Sequence, residues 1–507
     1  MERKRGVPNA SIMKILLSSI CLETGTDIQL ALYYLLSYLS KQRALHTVCP
    51  EVAIRVFNEN QRISSIVKRI IAFDPHVIGF SCYVWNIEKT LHLCRKLKKI
   101  NRRLKIVLGG PEVTPRAGEI LMQEKAVDIV VRGEGEKTFA ELIRSIASAD
   151  VALSCVKGIS FREGKNVMNN PERPQLRNLS IIPSPYLSRQ VDLNDKRIVD
   201  VPLETMRGCV FRCDYCYYHK NFPVERNFAL GRIEKELKLI LTHKPHEVYL
   251  MDATFNSCPH RAKKILRMFI KHNQGANLHV ELRAELLDDE MAQLLSRANA
   301  YNIEIGIQST NQRTLRAIHR PFNREKFERG IRLLNKYKLY YEIQLIDVLP
   351  YQSYDDLMKS LDWLYALHPA KVVIFRLAVL AGTTLRESAL GYGIAYDPAA
   401  PYHARKSSAM SEAQVKRAEK LCYAMDRLYD SQVFQKTLYA FKAKTGIKIS
   451  TILEDWVVWE SRFKKRCAGY PEFLNRKSPV FLEYLCRTHD KMYLYELLLP
   501  GLLKNLF

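Results

Sequence analysis

Short apolar runs alternate with amphipathic stretches over the first third of the chain. The runs are IMKILLSSI from residue 12, EVAIRVFN over 51–58, HVIGFSCYV over 76–84, LKIVLGG over 104–110 and VDIVVRGE over 127–134. They are apolar nearly throughout, the pattern of strands buried on both faces. The segments between them have helical periodicity; from Asn86 to Ile100, for example, Ile87, Leu91, Cys94 and Leu97 fall on one side. Five β/α units in succession predict a doubly wound parallel sheet over residues 1–150.

Residues 151–198 interrupt this rhythm. Pro171, Pro174, Pro183 and Pro185 prevent a continuous helix, so the segment reads as a linker with a small hairpin around Gly164. A second β/α series follows over 199–390, with apolar runs at VDVPLETMRG, EVYLMDATFN, LHVELRAEL, NIEIGIQST, YEIQLIDVLP and KVVIFRLAVLAG. Helices are predicted over 233–241, 262–272 and 327–337. Six parallel units suggest a partial or complete barrel, whose chemistry belongs at the carboxyl ends of its strands. Beyond, residues 391–507 form a mainly helical region, with a strong helical pattern over 411–429 and an aromatic-rich tail containing Trp456, Trp459, Tyr470, Phe473 and Tyr484.

Composition narrows the class. Hydrophobic residues make up 47% of the 507, and Gly and Pro number only 21 each, which excludes disordered and collagen-like chains. No apolar run reaches the roughly 20 residues of a membrane span. The amino terminus combines a basic start with an apolar run, but Lys14 interrupts it and no small-x-small site follows, so it reads as a basic arm entering the first strand. Twelve scattered cysteines in a chain without a leader point to the reducing cytoplasm. Seventy-eight Lys and Arg against 53 Asp and Glu leave a charge of +25, which suits an anionic partner without naming it.

In a doubly wound sheet, ligands bind beyond the carboxyl ends of the strands. Three such loops are unusual: Ser81 to Asn86 with Trp85, Gly109-Gly110-Pro111-Glu112, and Gly133-Glu134-Gly135-Glu136. Paired glycines admit close backbone approach to a ligand, and the amides of a helix opening near Gly135 suit polar acceptors. No GxGxxG follows the first strand, so a nicotinamide dinucleotide site lacks its fingerprint. After the first strand of the second series comes Cys209-Val210-Phe211-Arg212-Cys213-Asp214-Tyr215-Cys216, a CxxxCxxC spacing. Three thiolates select zinc or an iron–sulfur cluster. With His219 as a fourth ligand the loop reads as structural zinc; as three ligands it leaves one iron of a four-iron cluster open.

CxxxCxxC with an aromatic residue before the last cysteine, followed by β/α units, resembles the radical S-adenosylmethionine (SAM) enzymes. The preceding sheet, with GGPE and RGEGE, resembles the flavodoxin-like cobalamin-binding domain of one large subgroup, and the tail resembles the helical extension of a branch whose substrates are largely unassigned. The resemblance implies that Cys209, Cys213 and Cys216 hold a [4Fe-4S] cluster whose open iron binds SAM, and that the 5′-deoxyadenosyl radical so formed abstracts hydrogen from substrate. It implies SAM contacts from Tyr215, Asp252, Arg283, Glu304 and Gln308. It also implies cobalamin contacts from Ser81, Trp85, Gly109, Gly110, Glu112, Gly133, Glu134, Gly135 and Glu136. DxHxxG is missing, so a histidine on cobalt is not expected. Two departures stand out: the acidic motif of the second strand reads MDATFN, and the glycine-rich turn after the fifth reads Val348-Leu349-Pro350-Tyr351-Gln352.

The leading expectation is a cobalamin-dependent radical SAM methyltransferase, with cyclisation or rearrangement as variants within the family. It would act on a small-molecule or peptide substrate and draw on an electron donor such as flavodoxin or ferredoxin. The basic charge motivates a second reading, an RNA-modifying radical SAM enzyme of the methylthiotransferase kind. Against that reading, Cys21, Cys49, Cys82 and Cys94 do not have the spacing for a second cluster. A third is a non-catalytic zinc-containing binding protein.

Overall fold

The computed structural model describes residues 13–22, 28–42, 51–147, 151–432 and 434–466, and the side chains to residue 458. The first five strands are β1 (Lys14–Cys21), β2 (Glu51–Asn58), β3 (Val77–Ser81), β4 (Lys105–Gly109) and β5 (Ile129–Val131), all parallel, in the order β2-β1-β3-β4-β5. This is the doubly wound sheet expected from the sequence.

Alternate residues of each strand feed two cores. Leu16, Ile78, Ile106 and Val130 pack against the helices Ile63–Ile71 and Ile87–Ile100. Leu17, Val77, Val107 and Val131 pack against Leu30–Ser40 and Gly135–Ala147.

The expected hairpin forms at Gly164, between β6 (Ile159–Glu163) and β7 (Asn166–Asn169). It is not a free linker element, because β6 pairs antiparallel with β5 and extends the first sheet. Pairing gives its backbone amides partners that an exposed connection would leave to water.

The second sheet holds β8 (Asp200–Leu203), β11 (Glu247–Leu250), β12 (Asn277–Glu281), β13 (Ala300–Gln308), β14 (Tyr341–Ile346) and β15 (Lys371–Phe375). All are parallel, in the order β15-β14-β13-β12-β11-β8, a six-stranded partial barrel. Between β8 and β11 the two-residue strands β9 (Met206–Arg207) and β10 (Arg226–Asn227) pair with each other. Burial alternates along β11, β12 and β14, so one face packs apolar side chains under helices and the other presents polar ones inward.

After the barrel come the helices Glu412–Ala424, Gln435–Thr445 and Ile449–Arg466, the first continuing through a wider π-helical turn, Met425–Asp430. They lie against the barrel's last helix and strand: the Tyr429 hydroxyl donates to the Pro369 carbonyl at 2.7 Å, and the Val372 amide donates to Asp430 at 3.1 Å. Trp456 is buried there. The amino-terminal arm, the side chain of Trp459, and Tyr470, Phe473 and Tyr484 lie outside the described residues.

Candidate active site at the meeting of the two sheets

The cysteine loop is anchored before it begins. Asp252, fully buried at the end of β11, accepts the amides of Thr205 at 2.8 Å and Met206 at 3.1 Å, and the Thr205 hydroxyl. Burial pushes its carboxyl up to about 7 against the pull of those donors. The residue expected to touch SAM thus holds the backbone that launches the loop with Oδ1 and the Thr205 hydroxyl with Oδ2. Gly208 follows with φ +105, and a Cβ there would strike the Val224 carbonyl.

The three thiols sit among donors suited to thiolates. Cys209 accepts the Phe211 amide, and Cys216 accepts those of Tyr218 and His219. Arg320 lies 3.8 Å from the Cys213 sulfur. Burial raises the Cys209 thiol and lifts Cys216 to about 11, so iron must displace protons to bind. Among the described residues, no three His, Cys, Asp or Glu side chains gather round one point as a single zinc ion requires, and the Nδ1 of buried His219 makes no hydrogen bond. Three thiols on one loop would leave one iron of a four-iron cluster without a protein ligand.

Tyr215 stands beside Cys213 and Arg320, its hydroxyl driven upward by burial. Arg283 is buried with its guanidinium 4.2 Å from the Phe211 ring centroid. One nitrogen, Nη2, bonds Glu285 at 2.6 Å and the Pro321 carbonyl, while Nε and Nη1, on different edges of the guanidinium, are buried without a protein partner. Gln308 has φ +72 and a buried Oε1 without a partner. In the turn after β14, Val348 (φ +56) and Tyr351 (φ +61) adopt the left-handed conformation without glycine, at a cost of about 1–2 kcal/mol each.

Glu304 belongs to a hydrogen-bonded chain across the inner face of the barrel. His279 bridges Glu247 at 3.1 Å and Glu304 at 2.8 Å; Gln344 bridges Glu304 at 2.7 Å and Glu342 at 2.8 Å; Lys371 closes on Glu342 at 2.9 Å. Burial works against a charged imidazole, yet the two carboxylates hold His279 protonated up to about 9. Glu281 accepts from the Tyr249 hydroxyl at 2.7 Å, and burial pushes its carboxyl up to about 7.

A cavity of about 610 Å³ lies between the two sheets. Ser81, Gly109, Gly110, Gly133, Glu134, Gly135 and Glu136 line it from the first sheet, and Cys216, Tyr217, Tyr218, Tyr249 and Met251 from the barrel. Its lining also includes the apolar side chains of Leu17, Leu32, Leu35, Val107 and Phe139, and Gly79. Gly110 (φ +113) is held because a Cβ would come within 2.5 Å of the Cys82 carbonyl oxygen. Backbone, glycine and apolar surface of this extent fit a large flat cofactor with an appended ring.

Two expected contacts, Trp85 and Glu112, lie off the lining, and two more, Glu134 and Glu136, line it while paired with arginines. Trp85 is absent from the lining; it stacks at 4.5 Å on Tyr83, which does line the cavity. Glu112 is buried against the Tyr402 hydroxyl at 2.6 Å and Arg116 at 2.8 Å. Glu134 accepts from Arg207 at 3.1 Å and Arg226 at 2.9 Å, and Glu136 pairs with Arg207 at 2.7 Å, all four side chains nearly buried. Arg207 also meets Glu204 at 3.0 Å. The glycine loop of the first sheet is thereby tied to the residue two before Cys209. Sequence reasoning missed Arg207, Arg226 and Glu204; the arginine leading into Gly208-Cys209 was the one visible signal.

Comparison with known proteins agrees with this geometry. The B12 binding domain family matches residues 25–143, and the Radical SAM superfamily matches 203–364. An uncharacterized methyltransferase, PH0819, of Pyrococcus horikoshii is 28% identical over 56% of this chain and 62% of its own length. The cobalamin-dependent radical SAM methyltransferase TokK of Streptomyces tokunonensis is 30% identical over 37% of this chain and 28% of its own. The chain thus spans less than two thirds of these curated relatives. The structure of OxsB, a cobalamin-dependent S-adenosylmethionine radical enzyme with aqua-cobalamin and S-adenosylmethionine bound, superposes with a TM-score of 0.65 at 16% identity, covering 98% of this chain and 80% of that one. With the two domains matched in this order and one cavity between them, the chain belongs to the radical SAM superfamily, in the group whose barrel follows a B12-binding domain.

Proposed function

We propose that this protein is a cobalamin-dependent radical SAM methyltransferase acting on a carbon atom of a small-molecule or peptide substrate in the cytoplasm. One observation carries the reading: Cys216 and its neighbours Tyr217 and Tyr218 line the same cavity as Gly109, Gly110 and Gly133 of the first sheet. A cluster on the cysteine loop and a corrin on the glycine loops would therefore face one space. When bound, the cluster with SAM supplies a 5′-deoxyadenosyl radical and the corrin supplies the methyl group.

The chain's own residues hold and shield. Cys209, Cys213 and Cys216 bind iron. Arg283 offers an unpartnered nitrogen to a polar group of the ligand. Leu17, Val107 and Phe139 keep water from the far end of the cavity, and the ion pairs of Arg207 set the glycine loop against the cysteine loop.

Anaerobic reconstitution with iron, sulfide and hydroxocobalamin is expected to give about four irons per chain, together with stoichiometric cobalt. Cys213→Ala should lose the iron and keep the corrin. Labelled methyl groups from SAM should then appear in product alongside S-adenosylhomocysteine. Iron without corrin, with tight and salt-dependent RNA binding, would move the protein to the RNA-modifying reading; zinc alone would end both.

A further inference from the structure

We propose that Arg313 and Tyr351 anchor an oxoanion, carboxylate or phosphate, carried by the substrate; this rests on the enzyme reading above and adds the charge class of the substrate. The site begins with an outlier. Tyr351 closes the turn after β14 with φ +61, a conformation that glycine takes freely and a tyrosine only at a cost. The turn does not depend on the ring. Gln352 already holds it, its amide on the Leu349 carbonyl at 3.1 Å and its Nε2 on the Ile346 carbonyl at 2.8 Å, and Ser353 caps the helix that follows. The ring, 37% exposed, instead receives a guanidinium. Arg313 lies 3.9 Å from its centroid, the shortest cation-to-ring distance among the described residues, and Tyr392 meets it edge-on at 5.5 Å.

Arg313 is exposed and, among the described residues, its guanidinium has no hydrogen-bond or ion-pair partner. Two comparable arginines differ. Arg324, stacked on Trp363, bonds Glu328 at 2.9 Å, and Arg417, stacked on Tyr354, bonds Glu454. Stacking fixes the plane of a guanidinium and leaves its edge donors free, which suits bidentate binding of a carboxylate or phosphate. Placement ties the pair to the mouth of the barrel. The helix Gln312–Ala317 opens after β13, and just past its far end the Ile318 carbonyl accepts the Asp214 amide of the cysteine loop at 3.0 Å. Five residues of helix put Arg313 about 8 Å along the axis from that contact. Tyr392 belongs to a segment that meets the same loop, through the Leu385 amide on the Asp214 carbonyl at 3.0 Å. A substrate held here by its anion thus has the cysteine loop one short helix away, and the charge of +25 favours its approach.

The test uses the full chain reconstituted with cluster and corrin, with para-fluorophenyl phosphate and para-fluorobenzoate as probes followed by fluorine NMR. At least one probe should bind saturably, and the tighter of the two names the anion. Arg313→Gln and Tyr351→Gly should each weaken binding about fivefold or more. Arg316→Gln, which removes the same charge from the same helix, should leave binding unchanged. Tyr351→Gly should unfold at the wild-type temperature or above, because glycine relieves the left-handed turn; a lower temperature would make the ring a packing element and overturn the proposal. Equal weakening in the Arg316 and Arg313 variants would also overturn it, since charge alone would then attract the probe. So would displacement of the probe by S-adenosylmethionine, whose own carboxylate would claim the pair for the cofactor. A chain that takes up neither iron nor corrin would sink the enzyme reading instead, while probe binding by that chain would still stand or fall on Arg313.

Discussion

The first sheet meets the shared cavity with backbone and apolar surface: Gly109, Gly110 and Gly133 at the strand ends, Leu17, Val107 and Phe139 behind them. The charges of its loops, Glu134 and Glu136, are answered by Arg207 and Arg226 across the boundary. The barrel is opposite in kind. Its inner face carries a relay of Glu247, His279, Glu304, Gln344, Glu342 and Lys371, each partnered by the next. A site that binds by shape needs conformational freedom in a few residues, whereas one lined with charge needs each charge answered, since an unanswered one costs several kcal/mol when buried. The first sheet's cavity lining is therefore tuned by deleting side chains, and the barrel's inner face by matching them.

The sharpest way to break this comparison is at the boundary where the two kinds of wall meet. Arg207→Met would leave Glu134 with Arg226 alone and strip Glu136 and Glu204 of their arginine, and the stability lost to urea should be about 3–5 kcal/mol. A loss below about 1 kcal/mol would mean that charge does not hold the boundary. Next in size is the relay's dependence on pH. The folded-state value of His279, about 9, lies above the ordinary 6.5, so its stabilisation is complete below pH 6.5 and lost as pH rises through 9. Wild-type stability should fall by on the order of 3 kcal/mol across that window, a slope that His279→Leu should remove. On the glycine wall, Gly110→Ala should cost about 2–3 kcal/mol, because the new methyl would meet the Cys82 carbonyl in an already left-handed backbone. Gly133→Ala should be mildest. Its φ of +71 costs about 1 kcal/mol, but no atom lies within 4 Å of the added carbon, so thermal unfolding should shift little while hydroxocobalamin binding weakens.

The same contrast separates what the sequence discloses from what it hides. Strand order, the glycine loops and the cysteine spacing are legible because they depend on local pattern: apolar runs make buried strands, and thiols three and four residues apart reach one cluster. Partnerships between distant residues are not. Glu134 and Arg226 are 92 positions apart, and nothing in GEGE says that its carboxylates answer arginines rather than a ligand. Asp252 reads as a strand-end polar residue, and nothing near it in sequence says that its Oδ1 holds the amides of Thr205 and Met206, 47 and 46 positions away. Trp85 reads as a cobalamin contact, yet Tyr83, on which it stacks, is the aromatic residue of this loop that lines the cavity. The hairpin at Gly164 was visible as a turn, but its pairing with β5 depends on a free sheet edge that no local pattern announces.

The buried contact of Glu112 and Arg116 with Tyr402 bears on how the molecule is made. Tyr402 lies beyond the last barrel strand, and its backbone carbonyl is bound by the Val379 amide, so it is in place only once the barrel is. A ribosome releases the first sheet hundreds of residues earlier. During that interval Glu112 has Arg116 but no hydroxyl to share, and Glu134 and Glu136 await their arginines. The first domain is thus born with its acidic edge unanswered, and its assembly finishes from the opposite end of the chain.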